Sequence, residues 1–275
     1  MEPLSGTLFN IASCSLANVI DQNISFTSYI DDFLFYTSHK NICILEQRMN
    51  INLIKIANWC SENGFSISFD KSSSIVFNNK KPVDVNIKMN NINIKNVTEF
   101  KHLGIILDFN LKWTQHIKYT KQKALKSLNT MKILSSKFHG VNRDVHRKIY
   151  LAYTQSILDY GSIFFMNADK KILSHLNTIH HMGIRLISRA LKSSPVQSLY
   201  AESGIHPLDI RRRLLFSNFI SNISADPKNP LYNLILNNYN LNKFDPDFNN
   251  EAFLKNQPLI VYYQNPKLQS CLHFT

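Results

Sequence analysis

Apolar and polar positions follow two different periods along this chain, and the period changes near Thr114. Between Leu8 and Ile20 the apolar residues step by three and four positions, which predicts a buried helix at the start of the chain. The same spacing over residues 41–62 predicts a long amphipathic helix. Gly64 follows it at the position where a residue in the left-handed conformation commonly ends a helix. We expect both helices to pack on one face of a sheet.

Alternation of apolar and polar residues, the pattern typical of strands, occupies the segments around the second helix. Residues 24–36 alternate on both sides of two adjacent aspartates, which predicts a hairpin with the aspartates at its turn. Residues 65–77 predict a second strand pair, and residues 96–113 predict two short strands around positions 108–110. The sheet is therefore expected to be small and antiparallel.

Beyond Thr114 the apolar spacing is helical. Apolar residues line one face of a helix over about 114–136, and further helical stretches follow Gly140. The sequence thus predicts an α+β fold in which residues 1–113 form a sheet with helices and residues 114–220 are all helical. Residues 221–275 are rich in Asn and Pro with weak periodicity, so we expect a loosely attached, loosely ordered tail.

Composition excludes several classes of protein. With 44% apolar and 11% aromatic residues, the 275-residue chain can bury a core and is neither disordered, collagen-like nor of low complexity. Its four cysteines lie far apart without a CxxC or Cys/His cluster, which excludes a disulfide framework and a zinc knuckle. No apolar run reaches the roughly 18 residues of a membrane span. We therefore expect an intracellular protein, cytoplasmic or nuclear, with no membrane partner.

The charge is one-sided. The formal net charge is +12, and residues 112–148 alone hold ten basic side chains and one acid. A polyanionic partner such as nucleic acid would account for this field, because each Lys or Arg near a phosphate releases condensed counterions. A solvated helix face is the alternative, and composition alone leaves both open.

Five blocks of sequence carry a family resemblance. They are YIDDFLFY at 29–36, PLSGTLFNI before it, and after it GFSISFDKSSSIVF, FKHLGIILDFNLKW, and the pair SILDYGS and SPVQSLYAESGIHPLDIRRR. In this order they resemble the reverse transcriptases of non-LTR retrotransposons (LINE-like, jockey or I-type) over about Pro3 to Arg213. The resemblance implies an RNA-directed DNA polymerase with a partial palm and primer-grip hairpin at 1–113 and a thumb and connection at 114–220.

The paired aspartates fit the chemistry of that family. Attack of a primer hydroxyl on a nucleotide phosphate uses two divalent metals about 3.5–4 Å apart, and Mg²⁺ prefers carboxylate oxygens. The resemblance implies that Asp31 binds Mg²⁺ with Asp32 in support, and that Lys71 protonates the pyrophosphate leaving group. Ordinary turn chemistry for the aspartates and a solvated turn lysine are the alternatives.

The resemblance also implies contacts with an RNA template, a DNA primer and a dNTP. Tyr29 would pack under the primer terminus, while Leu103, Gly104 and Trp113 would belong to the primer grip or to the core. The lysines of residues 112–137 would track the phosphate backbone. Those singled out as nucleic-acid-binding residues are Lys118, Lys121 and Lys126.

Two parts of the family pattern are absent from these residues: the strand with the first catalytic aspartate, and the fingers with their Pro-Gln-Gly turn. Adjacent aspartates alone make a weak Mg²⁺ site, because nothing closes its other side and like charges raise each other's pKa. We therefore expect a C-terminal palm, thumb and connection fragment that is inactive alone. The alternative is a nucleic-acid-binding remnant without catalysis.

Overall fold

The computed structural model describes residues 3–78, 81–134, 141–233 and 268–274, which fall into two units. The first unit comprises Met1–Leu111 with Tyr262–Thr275, and the second comprises Lys112–Val261. Helices and small sheets occur in the first unit and helices in the second, in agreement with the expected α+β class. Each unit is described by itself.

The first unit combines two helices with short strands. Its helices are α1 (Pro3–Ser13), which continues as a 3₁₀ turn over Cys14–Asn18, and α2 (Ile42–Glu62). Its strands are β1 (Ser25–Tyr29), β2 (Asp32–His39), β3 (Ser73–Phe77), β4 (Lys88–Met89), β5 (Ile92–Asn93), β6 (Lys95–Asn96), β7 (Glu99–His102), β8 (Ile105–Asp108) and β9 (Leu268–Phe274).

The main sheet has the strand order β1-β2-β9-β3-β6. β9 lies between β2 and β3 and runs antiparallel to both, so that Leu272 stands opposite Phe35 on one side and Ser74 on the other. Residues 268–274, expected in a loosely attached tail, thus form an inner strand. The preceding residues 234–267 of that expectation lie outside the described residues. β4–β5 and β7–β8 form two separate ribbons.

Helix α2 confirms the helix expected over 41–62. The side chain of Asn41 caps its start by accepting a hydrogen bond from the amide of Cys43 (2.9 Å), and Gly64 follows its end with φ +74°. The inner face of α2 supplies the centre of the core, which also takes up Leu16 and Phe35. The buried residues of that face are Leu45, Met49, Asn52, Leu53, Ile56, Ala57, Trp59 and Cys60.

The buried helix expected over 8–20 is wrong in length and in burial. α1 ends at Ser13, and Leu4, Leu8 and Ile11 are 56–64% exposed. The apolar ridge reaches the core only at Leu16, in the 3₁₀ turn. A helical period shows which side chains share a face, whereas burial also needs a neighbouring element to cover that face.

Two strand predictions are also wrong. Residues 65–72 form no strand, because Phe65 donates its amide to the carbonyl of Cys60 (2.8 Å) and its ring stacks on Trp59 at 5.1 Å. Their alternating apolar side chains pack on the core without a strand ladder. The ribbon expected to turn around 108–110 turns instead at Leu103 and Gly104, between the paired residues His102 and Ile105.

The second unit is helical throughout its described part. Its helices are α3 (Thr114–Leu134), α4 (Arg143–Ile149), a π-helical segment (Tyr150–Gln155), α5 (Ser156–Asp159), α6 (Ser162–Phe165), α7 (Lys170–Ser188), α8 (Val196–Ser203) and α9 (Leu208–Ala225). α3 confirms the helix expected over 114–136 as far as Leu134, beyond which residues 135–140 are not described. No helix in the described ranges is long and apolar enough to span a bilayer.

Candidate functional site

The paired aspartates occupy the tip of the β1–β2 hairpin. Tyr29 and Asp32 form its last pair, which leaves Ile30 and Asp31 as the two-residue turn. Asp31 is exposed and Asp32 is partly exposed, so both carboxylates can reach a ligand from solvent. Tyr29 is 60% exposed beside them.

The turn itself is strained. Ile30 has φ +56°, a left-handed conformation that a β-branched residue rarely adopts. Its side chain lies against α1 at Gly6, where a Cβ would meet Ile30 Cδ1 at 3.4 Å. Strain of this kind persists only where surrounding contacts impose it, and it concentrates at functional sites.

A stack of aromatic rings supports the hairpin below its tip. The rings of Phe33 and Phe35 lie 6.3 Å apart and nearly parallel, and Phe26 lies 6.0 Å from Phe35. Phe9 of α1 closes on Phe33 at 6.1 Å. A site carried on strands with locked side chains holds its carboxylates in a narrower range of positions than a loop would.

The strand register brings Lys71 to the aspartate end of the sheet. Leu34 of β2 and Ser73 of β3 face the same residue of β9, and both strands run antiparallel to β9. The chain just before Ser73, with exposed Lys71, therefore emerges at the same sheet edge as Asp31 and Asp32. One intervening strand sets the backbone separation at about 10 Å.

The three residues expected at the primer grip lie in different surroundings. Leu103 and Gly104 form the tip of the β7–β8 ribbon with φ +45° and +83°, and Leu103 is 40% exposed. Trp113 belongs to the second unit, is buried, and lies edge-on to His116 at 6.4 Å. Trp113 thus occupies a core position, whereas Leu103 presents its side chain to solvent.

The expected lysine surface lies on α3. Lys118 and Lys126 are exposed and Lys121 is partly exposed, while the opposite face of α3 is buried. The net charge differs between the two parts of the chain more sharply than the basic run at 112–148 alone indicates. Residues 1–111 hold nine basic and ten acidic side chains, whereas residues 112–220 hold 18 basic and five acidic, a net charge of +13. The helical unit is therefore the polyanion-attracting part of the chain.

Comparison with known proteins matches the unit that carries the aspartate hairpin. Residues 2–107 match the model of the family described as Reverse transcriptase (RNA-dependent DNA polymerase). Over these residues the chain is similar to reverse transcriptases. The match confirms the family resemblance expected from the sequence blocks.

Two curated relatives extend beyond the family match. The RNA-directed DNA polymerase from mobile element jockey of Drosophila melanogaster is 22% identical over 254 residues, 82% of this chain and 27% of that protein. Its namesake from Drosophila funebris is 23% identical over 195 residues, 68% of this chain and 21% of that protein. This chain thus spans about a quarter of the length of these reverse transcriptases. No solved structure matches it.

Reverse transcriptases generally use a divalent metal, and the paired aspartates are the candidate ligands that the sequence singled out. Asp31 and Asp32 offer the hard oxygen ligands that Mg²⁺ prefers. Nowhere in ranges 3–78, 81–134, 141–233 and 268–274 do three His, Cys, Asp or Glu side chains gather. The carboxylates at the turn therefore fit one side of a metal site.

The sequence reading missed a buried charge cluster in the helical unit. Arg212 of α9 is 4% exposed, its guanidinium carbon lies 5.9 Å from the ring centre of Phe165, and neighbouring Arg211 donates to Asp159 at 3.0 Å. Burial lowers the pKa of Arg212 and raises the pKa of Asp159. The sequence shows a single basic run at residues 211–213. Only the packing of α9 in the structure shows that Arg212 is the buried residue of the three.

A second buried network joins α7 to the π-helical segment. The hydroxyl of Tyr150 donates to Nδ1 of His180 (2.5 Å), and Nε2–H of His180 donates to the carbonyl of His206 (3.1 Å). Because a carbonyl only accepts, Nε2 of His180 carries a proton, and because Nδ1 accepts from the Tyr150 hydroxyl it carries none, so the ring is neutral. Burial lowers the pKa of His180 to about 4 and that of His116 to about 4. His180 thus joins α7 to the π-helical segment and to the chain just before α9.

Proposed function

We propose that this chain is the palm, thumb and connection portion of the RNA-directed DNA polymerase of a non-LTR retrotransposon. The observation that carries the proposal is the hairpin tip, where a strained turn on a rigid aromatic base presents Asp31 and Asp32 to solvent within the region matched by the reverse transcriptase family. The first unit corresponds to the palm and its primer-grip ribbon. The second unit corresponds to the thumb and connection.

In this proposal Asp31, with Asp32 in support, holds Mg²⁺ from one side. The metal, when bound, lowers the charge on the reacting phosphate oxygens. Lys71 lies at the same sheet edge and is placed to give its proton to the departing pyrophosphate. Tyr29, exposed beside the aspartates, carries the primer terminus, and Leu103 and Gly104 contact the primer strand from their own ribbon.

The helical unit binds the RNA template and DNA primer through their phosphates. The net charge of +13 over residues 112–220 and the exposed α3 lysines, Lys118 and Lys126 with partly exposed Lys121, support this role. Such contacts supply affinity without reading sequence. The dNTP would meet the aspartate edge of the first unit.

We further propose that the 275-residue chain does not extend a primer alone. Two adjacent carboxylates, with no third ligand near them in the described ranges, hold a metal from one side only. A misplacement of about 1 Å in such a site can already cost about a hundredfold in rate. A nucleic-acid-binding role without catalysis is the second candidate, and the strongly basic helical unit favours it.

The first experiment tests nucleic-acid binding. We expect the affinity for a template–primer duplex to fall steeply with salt, and Lys118→Ala/Lys121→Ala/Lys126→Ala to flatten the log-log slope by about two to three, at about 0.9 per phosphate contact. A matched variant, Lys40→Ala/Lys88→Ala/Lys95→Ala, removes the same charge from exposed positions of the first unit and should leave the slope unchanged. Equal slopes for both variants would contradict the assignment of the helical unit.

The second experiment separates polymerase from binding remnant. Mn²⁺ binding, followed by water-proton relaxation, should be weak in the 275-residue chain and weaker still in Asp31→Asn. Fusion to the segment of a jockey polymerase that precedes the matched region should strengthen Mn²⁺ binding and allow primer extension, and Asp31→Asn should abolish extension while sparing duplex binding. A fusion that extends equally well with Asn at position 31 would remove Asp31 from the active site.

A further inference from the structure

Exposed aromatic side chains of the helical unit cluster in one short stretch. Among the residues of this unit that the structure describes, the exposed Phe, Tyr and Trp side chains are Tyr153, Tyr160 and Phe164, at 64%, 56% and 39% exposure. The remaining large exposed hydrophobic side chains of this described part are aliphatic. Exposed apolar side chains that gather in one place, rather than singly, mark interaction sites on protein surfaces.

Tyr153 and Tyr160 lie on the solvent side of one continuous helical run, from α4 through the π-helical segment into α5, with Tyr160 as the residue that caps its C-terminal end. The buried residues of this run are His146, Tyr150, Thr154, Gln155 and Leu158, and its exposed side chains include Val145, Lys148, Tyr153, Ser156 and Tyr160. At about 1.5 Å per residue the two tyrosines stand about 10 Å apart along the axis. Between them lies only the small, exposed Ser156 on that face, so both rings are accessible.

The π-helical segment determines where Tyr153 points. An α-helix places residues three and four apart on the same face, whereas this segment buries Tyr150, Thr154 and Gln155 together, spacings of four and five. Tyr153 is thereby left on the opposite face. Single π turns inside α-helices are frequent at functional sites.

We propose that Tyr153 and Tyr160 stack on the bases of a single-stranded nucleic acid. The occupant follows from the surroundings of the rings. Residues 112–220, which carry both rings, have a net charge of +13, exposed Lys148 lies about one turn before Tyr153, and Arg211 bonds to Asp159 immediately before Tyr160. Cations beside rings suit phosphates beside bases, and only unpaired bases offer their faces to such rings. The proposal deepens the proposed function and depends on nucleic-acid binding by the helical unit.

The test compares three replacements at both tyrosines in the full 275-residue chain. Affinity for a short single-stranded oligonucleotide, measured by fluorescence anisotropy, should fall about five- to 150-fold for Tyr153→Ala and similarly for Tyr160→Ala. Tyr153→Phe and Tyr160→Phe should keep the affinity, since stacking needs the ring. Tyr153→Leu and Tyr160→Leu should lose it. Leu191→Ala, at a side chain 75% exposed elsewhere in the unit, is the matched control and should bind normally.

An abasic oligonucleotide isolates the contribution of the bases. It keeps the phosphates, so the wild type and Tyr153→Ala/Tyr160→Ala should bind it equally. Lys148→Ala should lower the salt slope by about 0.7 on normal and abasic strands alike. Because the replaced side chains are exposed, thermal unfolding of every variant should match the wild type.

Each other outcome overturns the inference. Full oligonucleotide affinity in the Leu variants would show that no ring stacks on a base, and a dimer that dissociates in Tyr153→Ala/Tyr160→Ala would show that the patch binds a second copy of the chain instead. An equal loss on duplex would show a general effect on the unit. Wild-type affinity in both Ala variants, with the α3 lysine dependence intact, would remove the stacking site and leave the proposed function standing. No binding by the wild type would remove both.

Discussion

Gly183 of α7 lies directly against the ring of Tyr150. A Cβ built on Gly183 would approach Cε2 of Tyr150 to 2.2 Å, and Tyr150 is fully buried. The hydroxyl of that ring is bonded to His180, which is itself fixed to the carbonyl of His206. The ring therefore cannot move away, and glycine is the residue that lets α7 pack on the π-helical segment.

Gly183→Ala should destabilise the helical unit by about 1–3 kcal/mol, although alanine is the better helix former, because the added methyl overpacks a closed core. Urea unfolding in a Trp59→Phe background, where Trp113 alone reports and belongs to the helical unit, gives the measurement. Tyr150→Leu provides the control. Gly183→Ala should cost less in that background, and an equal cost in both backgrounds would show that the Tyr150 ring is not the obstacle.

Acid should lower the folding stability of the helical unit at pH values above those at which carboxylates titrate. Burial holds the pKa of His116 and of His180 at about 4, below the 6.5 of an exposed histidine, so the unfolded state binds more protons between these values. The resulting stability is complete above pH 6.5 and is lost as pH falls towards 4, by on the order of 3 kcal/mol for each histidine.

The measurement is the urea midpoint of Trp113 fluorescence between pH 7 and pH 4.5 in Trp59→Phe. His116→Leu removes one titrating group at similar volume and should reduce the pH dependence. A midpoint that stays constant over this range would mean that neither histidine is buried in the neutral form. Asp159, whose pKa burial raises, works in the opposite direction and keeps the observed loss below the sum of the two histidines.

Leu272→Pro should unfold the first unit and leave the second intact. Residue 272 lies in β9 with a strand on either side, so its amide faces a neighbour whichever way it points. Proline there removes a ladder hydrogen bond from an inner strand. Hydrogen exchange should accelerate at 33–38 and 73–77 and stay slow in α3 and α7. Leu272→Ala, which keeps the amide, is the control, and in it hydrogen exchange should stay slow in both strands.

Leu103→Asn should stabilise the β7–β8 ribbon and weaken primer binding. Leu103 and Gly104 both have positive φ, the conformation of a turn that prefers Asn-Gly, and a left-handed leucine costs about 1–2 kcal/mol. We expect about 1 kcal/mol of added stability, read from Trp59 in a Trp113→Phe background. Leu103→Ala keeps the strain and removes the side chain, so it should weaken binding without stabilising. Unchanged binding in both variants would show that the ribbon tip does not touch the primer.

Local signals predicted the elements that depend on near neighbours. The capped helix α2 follows from Asn41, a 3.6-residue apolar period and Gly64, and the aspartate hairpin follows from alternation around two turn residues. Phe65 shows the limit of alternation as a signal. Its amide donates to the carbonyl of Cys60 and not to a strand partner, so a strand-like pattern corresponds to packed coil.

Features that depend on residues distant in the sequence could not be predicted from local patterns. The sequence of β9 is only seven residues long and follows an Asn-rich stretch, so its own residues give a weak strand signal. Its pairing with β2 and β3 makes it a strand. At the candidate site the aspartates and the α3 lysines stand out by residue type, whereas Tyr153 does not. A strict 3.6-residue period cannot show that a π turn has moved Tyr153 to the solvent face.

The position of β9 also sets a timetable for synthesis. β2 and β3 are complete once Phe77 has been made, yet the strand that joins them begins at Leu268. At roughly 5–20 residues per second, a ribosome needs on the order of ten seconds or more to reach it. Throughout that interval β2 and β3 expose unpaired edges, and a chaperone or a strand from another molecule can occupy the gap first. The half of the protein that is translated first is thus the half that can finish folding last.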